Sequence, residues 1–473
     1  MAKKQREFRI LGMTPGEIVR EFFSSSTGKV AAALFIILIV VSIYALIVLP
    51  PNFAKIWNNP KYWQLNPQYA PPAWIDSIIG PVYSPQIYVH DYTFTVQQQS
   101  GITYITVTFS VDYEYDKPWN ELFIVVNNPA IYSMSQPPVV SITVYRPDGS
   151  KITLGPLPIN TRVTTLGVTP EVVSQVNLFY SEEYHISSVV PTGQSATPYL
   201  FYTVNDGKLV PLKGPYKFVM VFYVFSQNST VINKEDLEIV LQGQIYGLMG
   251  TDNEGHDLWL GLLAGFPIDL AVGLLSALII VVIAVVIGIV AGFYGGLVDE
   301  SLMRLTDFVI LLPAFPLLIV FSVLFGWSIW DAVVFLAIVS WGASARIIRA
   351  MIMQIRSAQY IESAVIAGGA SRMWILRNHI LPQIIPYILY LLVTNVPGAI
   401  LTLASINFLG LAGSEYPTWG GMLLYYADEF GALTSGYWWW VIPPGLLVAF
   451  VAVVFILTAM ASEPVVNPRL RYG

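Results

Sequence analysis

Residues 30–49 form an uninterrupted hydrophobic run, VAAALFIILIVVSIYALIVL. A helix of about 20 apolar residues crosses about 30 Å of hydrocarbon, so this run predicts a transmembrane helix. A signal peptide has a shorter apolar core and a small-residue cleavage site, whereas Pro-Pro-Asn follows here. We therefore interpret 30–49 as an uncleaved first span, with the basic segment 1–29 remaining in the cytoplasm.

Further runs of the same character follow residue 248. They cover about 267–292, 308–326, 332–352, 385–409 and 441–461. The composition agrees with many spans, because 55% hydrophobic and 11% charged residues are atypical of a soluble globular protein. We predict a mainly α-helical polytopic membrane protein with six transmembrane helices, in which 248–463 forms the larger part of the helical core.

The pattern changes between the first two spans, over residues 52–247. No apolar run of membrane-spanning length occurs there, and segments rich in Tyr, Val, Ile, Thr and Phe alternate with polar residues. These segments are 87–96, 102–115, 139–146, 198–204 and 217–225. Three turn signals, two of which contain Asp-Gly, separate some of them, so we predict an inserted antiparallel all-β domain, sandwich-like in form. Because the first span runs outward, this domain is expected to be extracellular.

The positions of the basic residues predict the orientation of the remaining spans. The arginines that six spans place inside are Arg304, Arg346, Arg349, Arg356, Arg372, Arg377, Arg469 and Arg471. The outer loops 327–331 and 410–440 contain no Lys or Arg. The positive-inside rule then predicts a multi-pass plasma-membrane protein, in contact with membrane lipid, whose N-terminus and tail (464–473) are cytoplasmic. A formal net charge of −6 argues against a nucleic-acid partner.

One charged stretch, 360–382, interrupts the apolar sequence between the fourth and fifth spans. It reads YIESAVIAGGASRMWILRNHILP and lies in the predicted cytoplasmic loop 353–382. The stretch has the pattern of a short helix, a Gly-Gly break and a second helix that ends at Leu-Pro. Its charges exclude it from hydrocarbon, so the pattern indicates a docking element for a soluble partner at the membrane surface.

This stretch resembles the cytoplasmic EAA…G…LP loop of the permease subunits of ABC importers. The residues that match it are Glu362, Ser363, Ala364, Gly368, Gly369, Leu381 and Pro382. Ser363 replaces an alanine, and one extra residue, most simply the second glycine, separates the glutamate from Leu-Pro.

Four other stretches resemble the dipeptide/oligopeptide-type branch of that family in the same order. They are GTDNEGHD (250–257), GG-D…R..D (295–307), PTWGGML (417–423) and NPRLR (467–471). Histidine stands at 256 where that family usually has arginine. The β-domain is an insertion that the family pattern does not account for.

The resemblance implies the permease subunit of an ATP-driven importer of oligopeptides or dipeptides, with oligosaccharides as an alternative substrate class. It also implies a second homologous permease subunit, two cytoplasmic P-loop ATPase subunits and an extracellular solute-binding protein. The stretch 360–382 would then couple the spans to the ATPase. The Gly-Lys pairs of this chain, at 28–29 and 207–208, are followed by Val and Leu, so they do not form a P-loop. We therefore expect no catalysis, metal or cofactor in this chain, with ATP and magnesium bound by the partners.

Two further features of the sequence do not point to a single function. Polar residues on the fifth predicted span are Thr394, Asn395, Ser405 and Asn407. Intramembrane polar residues suggest a translocation path, but the same residue types also link helices, and both interpretations stand. Asn228 begins an Asn-Ser-Thr sequence, which is a possible glycosylation site.

Two other functions compete with the importer permease. A secondary transporter would show inverted repeats and intramembrane ionisable residues, but no repeat is evident and the charges cluster at span ends. A membrane-anchored surface receptor with a ligand-binding β-domain would need a signalling domain, for which the short inner segments leave no room.

Overall fold

The computed structural model describes residues 15–99, 101–132, 134, 136–225, 232–361, 363, 371–413, 415–423, 431 and 434–466. The chain divides into two compact units. We call Met1–Asn58 with Leu260–Gly473 the helical unit, and Asn59–Trp259 the β unit. The β unit ends later than the sequence-based bounds of 52–247, because the backbone of Thr251 donates to Ala70 O and Tyr69 donates to Asp252 O.

Two helices open the described part of the helical unit. Helix α1 (Pro15–Ser24) has proline in its first turn and glutamate at the third position, which is the helix start that the sequence predicts. Helix α2 (Ser26–Val48) contains the first predicted span, and its N-cap hydroxyl, Ser25 Oγ, accepts a hydrogen bond from Gly28 N at 2.9 Å.

The β unit contains eleven strands in its described part. They are β1 (Ile87–Val89), β2 (Thr93–Gln99), β3 (Ile102–Tyr113), β4 (Glu121–Val126), β5 (Val139–Tyr145), β6 (Lys151–Pro158), β7 (Val163–Thr165), β8 (Tyr202–Asn205), β9 (Lys208–Pro211), β10 (Gly214–Val224) and β11 (Leu237–Gln242). One sheet has the order β1-β11-β4-β7, a second β2-β3-β10-β5-β6, and β8 pairs with β9 alone. All the strand pairings are antiparallel.

The two larger sheets enclose one hydrophobic core, as a sandwich requires. Val107 and Phe218 of the five-stranded sheet belong to the same buried cluster as Ile124 and Ile239 of the four-stranded sheet. The sandwich prediction therefore matches the architecture of the β unit.

The prediction of an all-β domain is wrong, because a 15-residue helix, α3 (Pro170–Tyr184), packs into this core. Val172, Val176 and Tyr180 recur at every fourth position and are all fully buried, which is the spacing of one helix face. Short helical turns also occur between residues 53 and 236. They are Phe53–Trp57, Pro60–Trp63, Ala73–Ile75, Asp76–Ile79, Pro129–Tyr132, Thr197–Phe201 and Lys234–Asp236.

Seven long helices complete the described part of the chain. They are α4 (Leu258–Tyr294), α5 (Gly296–Leu311), α6 (Ala314–Phe325), α7 (Ile329–Ser340), α8 (Gly342–Arg356), α9 (Leu381–Phe408) and α10 (Trp438–Val466). A turn of α-helix, Arg372–Ile375, and a π-helical turn, Leu376–Ile380, lead directly into α9.

The number of spans depends on how two bent helix pairs are counted. Within the described residues, four helices are long and apolar enough to cross a membrane, or up to six if each bent pair is one span. Helices α5 and α6 meet at 73°, and α7 and α8 meet at 43°. The sequence predicted single spans over 308–326 and 332–352, and each of these instead contains a break. Pro313, between α5 and α6, cannot donate a helical hydrogen bond and restricts the residue before it.

Close helix contacts in the helical unit depend on glycine. A Cβ at Gly273 of α4 would lie 2.3 Å from Ile400 of α9, and one at Gly288 would lie 2.7 Å from Ile348 of α8. Helix α4 therefore packs against both helices at positions that no larger residue could occupy without movement.

Candidate functional site: the flanks of the EAA-like loop and the ends of the helices

The structure describes the two flanks of the predicted coupling loop. Glu362, Ala364, Gly368 and Gly369 lie outside the described residues. Ser363 is exposed, and its Oγ donates to Gln359 O at 2.9 Å. The observed geometry is therefore that of the segments on either side of the EAA-like residues, which we call the flanks.

Buried isoleucines hold both flanks against the helix bundle. Ile361 on the first flank and Ile375 and Ile380 on the second are almost fully buried. They share one cluster with Ile348 and Ile352 of α8. A displacement of either flank would therefore be transmitted to α8 and α9 through this packing.

The Leu-Pro pair that closes the motif begins α9. Leu381 packs against the same cluster, and Pro382 lies in the first turn. Proline has no N–H to donate, and the π-helical turn Leu376–Ile380 lies just before this pair. The pair thus marks the transition from the loop into the predicted fifth span.

The opposite face of the flanks combines exposed aromatic, apolar and basic side chains. Met373 is 64% exposed, Trp374 48% and Tyr360 46%, and Arg372 and Arg377 are exposed beside them. Aromatic residues, Met and Arg are enriched at protein interfaces. This face, which we call the loop face, has the composition of a docking surface.

Contacts between side chains hold the loop face in place. The ring of Trp374 meets that of His379 edge-on with centroids 5.0 Å apart. Gln383 donates from Nε2 to the Tyr360 hydroxyl at 2.8 Å and to His379 O at 2.7 Å. The two flanks are therefore joined to each other as well as to the bundle.

Ion pairs connect the GG-D…R..D stretch to α8, which leads into the loop. Arg349 Nε and Nη2 donate to the two carboxylate oxygens of Asp299 at 2.5 and 2.6 Å. Arg346 makes a second pair with Asp307. Both pairs join α5 to α8, and the bidentate one has fixed geometry. The sequence predicts an inner position for these arginines but does not reveal their partners.

The PTWGGML stretch forms a buried plug at the other end of the helical unit. Trp419 is fully buried, and its Nε1 donates to Leu262 O of α4 at 3.0 Å. Its backbone N donates to Asp269 Oδ2 at 2.8 Å. Asp269 is not among the site residues predicted from the sequence, although a carboxylate inside an apolar span signals a specific partner.

The four candidate path residues separate into two groups. Asn407 is buried and donates to Thr418 Oγ1 at 3.0 Å, so in this chain it links α9 to the plug. Thr394, Asn395 and Ser405 are half-buried, and each donates to a carbonyl one turn earlier in α9. One donor of each side chain is therefore satisfied within α9 itself.

The GTD stretch closes the β unit. Asp252 accepts from the backbone of Glu254 and His256, and its Oδ2 lies 2.7 Å from His256 Nδ1. The buried His256 ring meets Trp63 edge-on at 5.3 Å. These hydrogen bonds stabilise the turn at 252–256. The described residues contain no group of three or more His, Asp or Glu that could hold a metal ion. The glycosylation candidate, Asn228, lies outside the described residues.

Comparison with known proteins agrees with this arrangement of motifs. The family model described as "Binding-protein-dependent transport system inner membrane component" matches residues 284–472. The dipeptide transport system permease protein DppC of Bacillus subtilis is 30% identical over 223 residues, which are 47% of this chain and 68% of that protein. The chain belongs to the dipeptide/oligopeptide-type ABC transporter permeases.

Two other relatives have similar coverage. A probable peptide ABC transporter permease of Sinorhizobium fredii, y4tQ, is 41% identical over 37% of this chain and 60% of its own length. The oligopeptide transport system permease protein OppC of Escherichia coli is 37% identical over 42% of this chain and 65% of its own length. The chain thus spans between 60% and 68% of these relatives.

Proposed function

We propose that this permease forms, with a second homologous permease, the membrane path of an ATP-driven importer of dipeptides or oligopeptides. Two cytoplasmic P-loop ATPases would supply the energy, and an extracellular solute-binding protein would deliver the substrate. The names of the relatives support the peptide class, because each is a peptide, dipeptide or oligopeptide transport permease. The chain itself would hydrolyse no ATP.

The loop face is the observation that carries this proposal. It is exposed, rich in aromatic and basic residues, and joined by buried isoleucines to α8 and α9. An ATPase that moved the loop would therefore move these helices. We propose that Glu362, Ser363, Ala364, Gly368 and Gly369 insert into a groove of the ATPase, while Leu381 and Pro382 transmit the motion into α9.

The proposed topology follows from the same assignment. The loop face, the basic N-terminal segment and the tail lie in the cytoplasm, and the β unit lies outside the cell. We infer six spans by counting each bent pair as one. The path residues, Thr394, Asn395 and Ser405, would face the translocation route when the second permease is present, and Asn228 would be accessible for glycosylation.

Co-purification tests this function directly. The wild-type chain and the Glu362→Arg variant are solubilised from their native membranes and captured by a C-terminal tag. We expect the wild type to retain a P-loop ATPase and a second permease, and the variant to lose the ATPase because the reversed charge opposes docking.

A matched charge reversal controls for nonspecific effects. Glu300, on α5, is exposed, and its Oε1 lies 3.9 Å from Arg304 Nη2. Because Glu300 lies outside the EAA-like stretch, the Glu300→Arg variant should retain the ATPase. If wild type captures no ATPase from membranes in which other complexes survive, or if both reversals lose it equally, coupling through this loop is wrong.

A further inference from the structure

Among the described residues of the β unit, one long sheet edge lacks the usual protection. Natural proteins shorten edge strands or place proline or charged residues on them, because a free edge pairs with other chains. Strands β1 and β7 have three residues each, and β8 and β9 have four. Edge strand β6 contains two prolines and Lys151.

Strand β2 differs from all of these edges. It has seven residues, TFTVQQQ, with no proline and no charge. One side pairs with β3 along its whole length, from Thr93↔Thr108 to Gln99↔Ile102. No strand in the described part of the chain pairs with its other side. Every β2 residue except Phe94 is exposed.

The segment of β3 that pairs with β2 is also uncharged. Residues 93–110, which include all of β2 and most of β3, contain no charged side chain. Phe94 packs against the core and fixes the strand, while the outward side chains Thr95 and Gln97 are polar and exposed. The strand therefore offers backbone donors and acceptors without a charged side chain of its own, although the ammonium of Lys234 lies over the ring of Tyr92, the residue before β2.

We propose that the free edge of β2 binds an extended peptide by strand addition. This inference rests on the proposed function, because it makes the β unit a capture site for the importer's peptide substrate. Main-chain hydrogen bonds recognise any extended peptide with little dependence on sequence. A Thr- and Gln-rich strand without charged side chains is suited to peptides of varied composition, whereas a charged edge would repel peptides of the same charge.

The test measures peptide binding to the full-length chain in lipid nanodiscs, without ATP. The probe is a fluorescent, uncharged heptapeptide of alternating Thr and Val with blocked termini. A second probe has the same sequence with alternate residues N-methylated, which removes N–H donors. We expect saturable binding of the first probe and at least tenfold weaker binding of the second.

Paired lysine variants locate the site. Thr95→Lys with Gln97→Lys places two lysines on one face of β2, and we expect at least a tenfold loss of affinity. The matched control is Thr153→Lys on edge strand β6, which places an exposed lysine two residues from Lys151 and should leave binding unchanged. Circular dichroism of each variant verifies that the β unit folds.

Three outcomes would overturn the inference. These are absence of saturable binding, equal binding of the methylated probe, and equal affinities of both lysine variants. Loss of self-association in the β2 variant, with peptide binding unchanged, would instead assign the edge to a second copy of this chain. Peptide uptake by the reconstituted importer is measured separately. If the β2 variant does not bind the probe but the importer that contains it takes up peptide at the wild-type rate, the proposed function stands and the capture site is wrong.

Discussion

At the residue scale, Trp419 shows how a family motif produces local structure. The indole is held by Leu262 O and packs against a position of α4 where only glycine fits. A Cβ at Gly265 would lie 2.4 Å from Trp419 Nε1. Overpacking of this kind costs about 1–3 kcal/mol.

We therefore predict that Gly265→Ala lowers the thermal unfolding temperature of the purified chain. The control is Gly398→Ala, which is also within a helix but meets open space. That variant should be neutral or slightly stabilising, because alanine reduces the entropy of the unfolded chain. Equal unfolding temperatures for the two variants would mean that Trp419 does not occupy this position.

Glu121 provides a residue-scale prediction about pH. Its carboxylate lies in the core of the β unit, where Oε1 accepts from Leu122 N, Gly167 N and Thr197 Oγ1 at 2.7–2.9 Å. Burial raises the pKa of the Glu121 carboxyl, and these hydrogen bonds only partly oppose the shift.

The direction of the stability change follows from that raised pKa. The folded chain binds this proton more tightly than the unfolded chain does. The free energy of unfolding therefore falls as pH rises from about 4.3 through the raised pKa, and the contribution is constant above it. Glu121→Gln keeps an acceptor oxygen but cannot ionise, so its thermal unfolding should lack this fall. Parallel pH profiles for the two proteins would contradict the assignment.

At the element scale, the Asp299–Arg349 pair fixes α5 to α8. The Asp299 and Arg349 side chains are partly buried, at 14% and 30% exposure, and removing one partner of a hydrogen-bonded charged group costs about 1.5–3 kcal/mol. Asp299→Ala should therefore destabilise the purified chain by an amount in that range, measured by thermal unfolding.

The chain contains its own control for this prediction. Glu300 and Arg304 form an exposed pair at 3.9 Å, and such pairs contribute about 0–1 kcal/mol. Glu300→Ala should change the unfolding temperature little. The exchange Asp299→Arg with Arg349→Asp should recover part of the loss, and failure of both expectations would show that the pair does not hold α5.

Strands were predicted most accurately from the sequence where apolar and polar residues alternate. Alternation identified β3, β5 and β10, and the Asp206-Gly207 pair, with φ of 48° and 73°, forms the two-residue turn between β8 and β9. Strand β4 was missed because all six of its residues are buried, so no alternation marks it. Segment 87–96 was predicted as one strand, but it divides into β1 and β2 of different sheets.

Helix α3 and the site partners were harder to foresee for different reasons. Thr169-Pro170-Glu171 is a helix start like that of α1, so a signal existed and was overlooked among the surrounding strands. Asp269 and Asp299 depend on partners 150 and 50 residues away. Such long-range pairing is determined by tertiary packing, which one sequence without its fold does not specify.

At the scale of the whole molecule, the absence of cysteine makes the proposed sidedness testable. Ile78→Cys in the β unit and Met373→Cys on the loop face introduce single thiols at positions 74% and 64% exposed. A membrane-impermeant maleimide added to intact cells should label the first variant and not the second. Met373→Cys should react only after lysis, and the reverse pattern would invert the topology.

The same two variants give the most direct test of coupling through the loop. Native membranes carrying Met373→Cys or Ile78→Cys are treated with a short, membrane-permeant cross-linker that joins a thiol to nearby amines, and the adducts are identified by mass spectrometry. We predict that Met373→Cys yields an adduct with a protein that contains a P-loop, and that Ile78→Cys does not. Absence of any P-loop protein among the Met373→Cys adducts, although that thiol reacts with maleimide after lysis, would contradict the proposal that the loop face docks the ATPase.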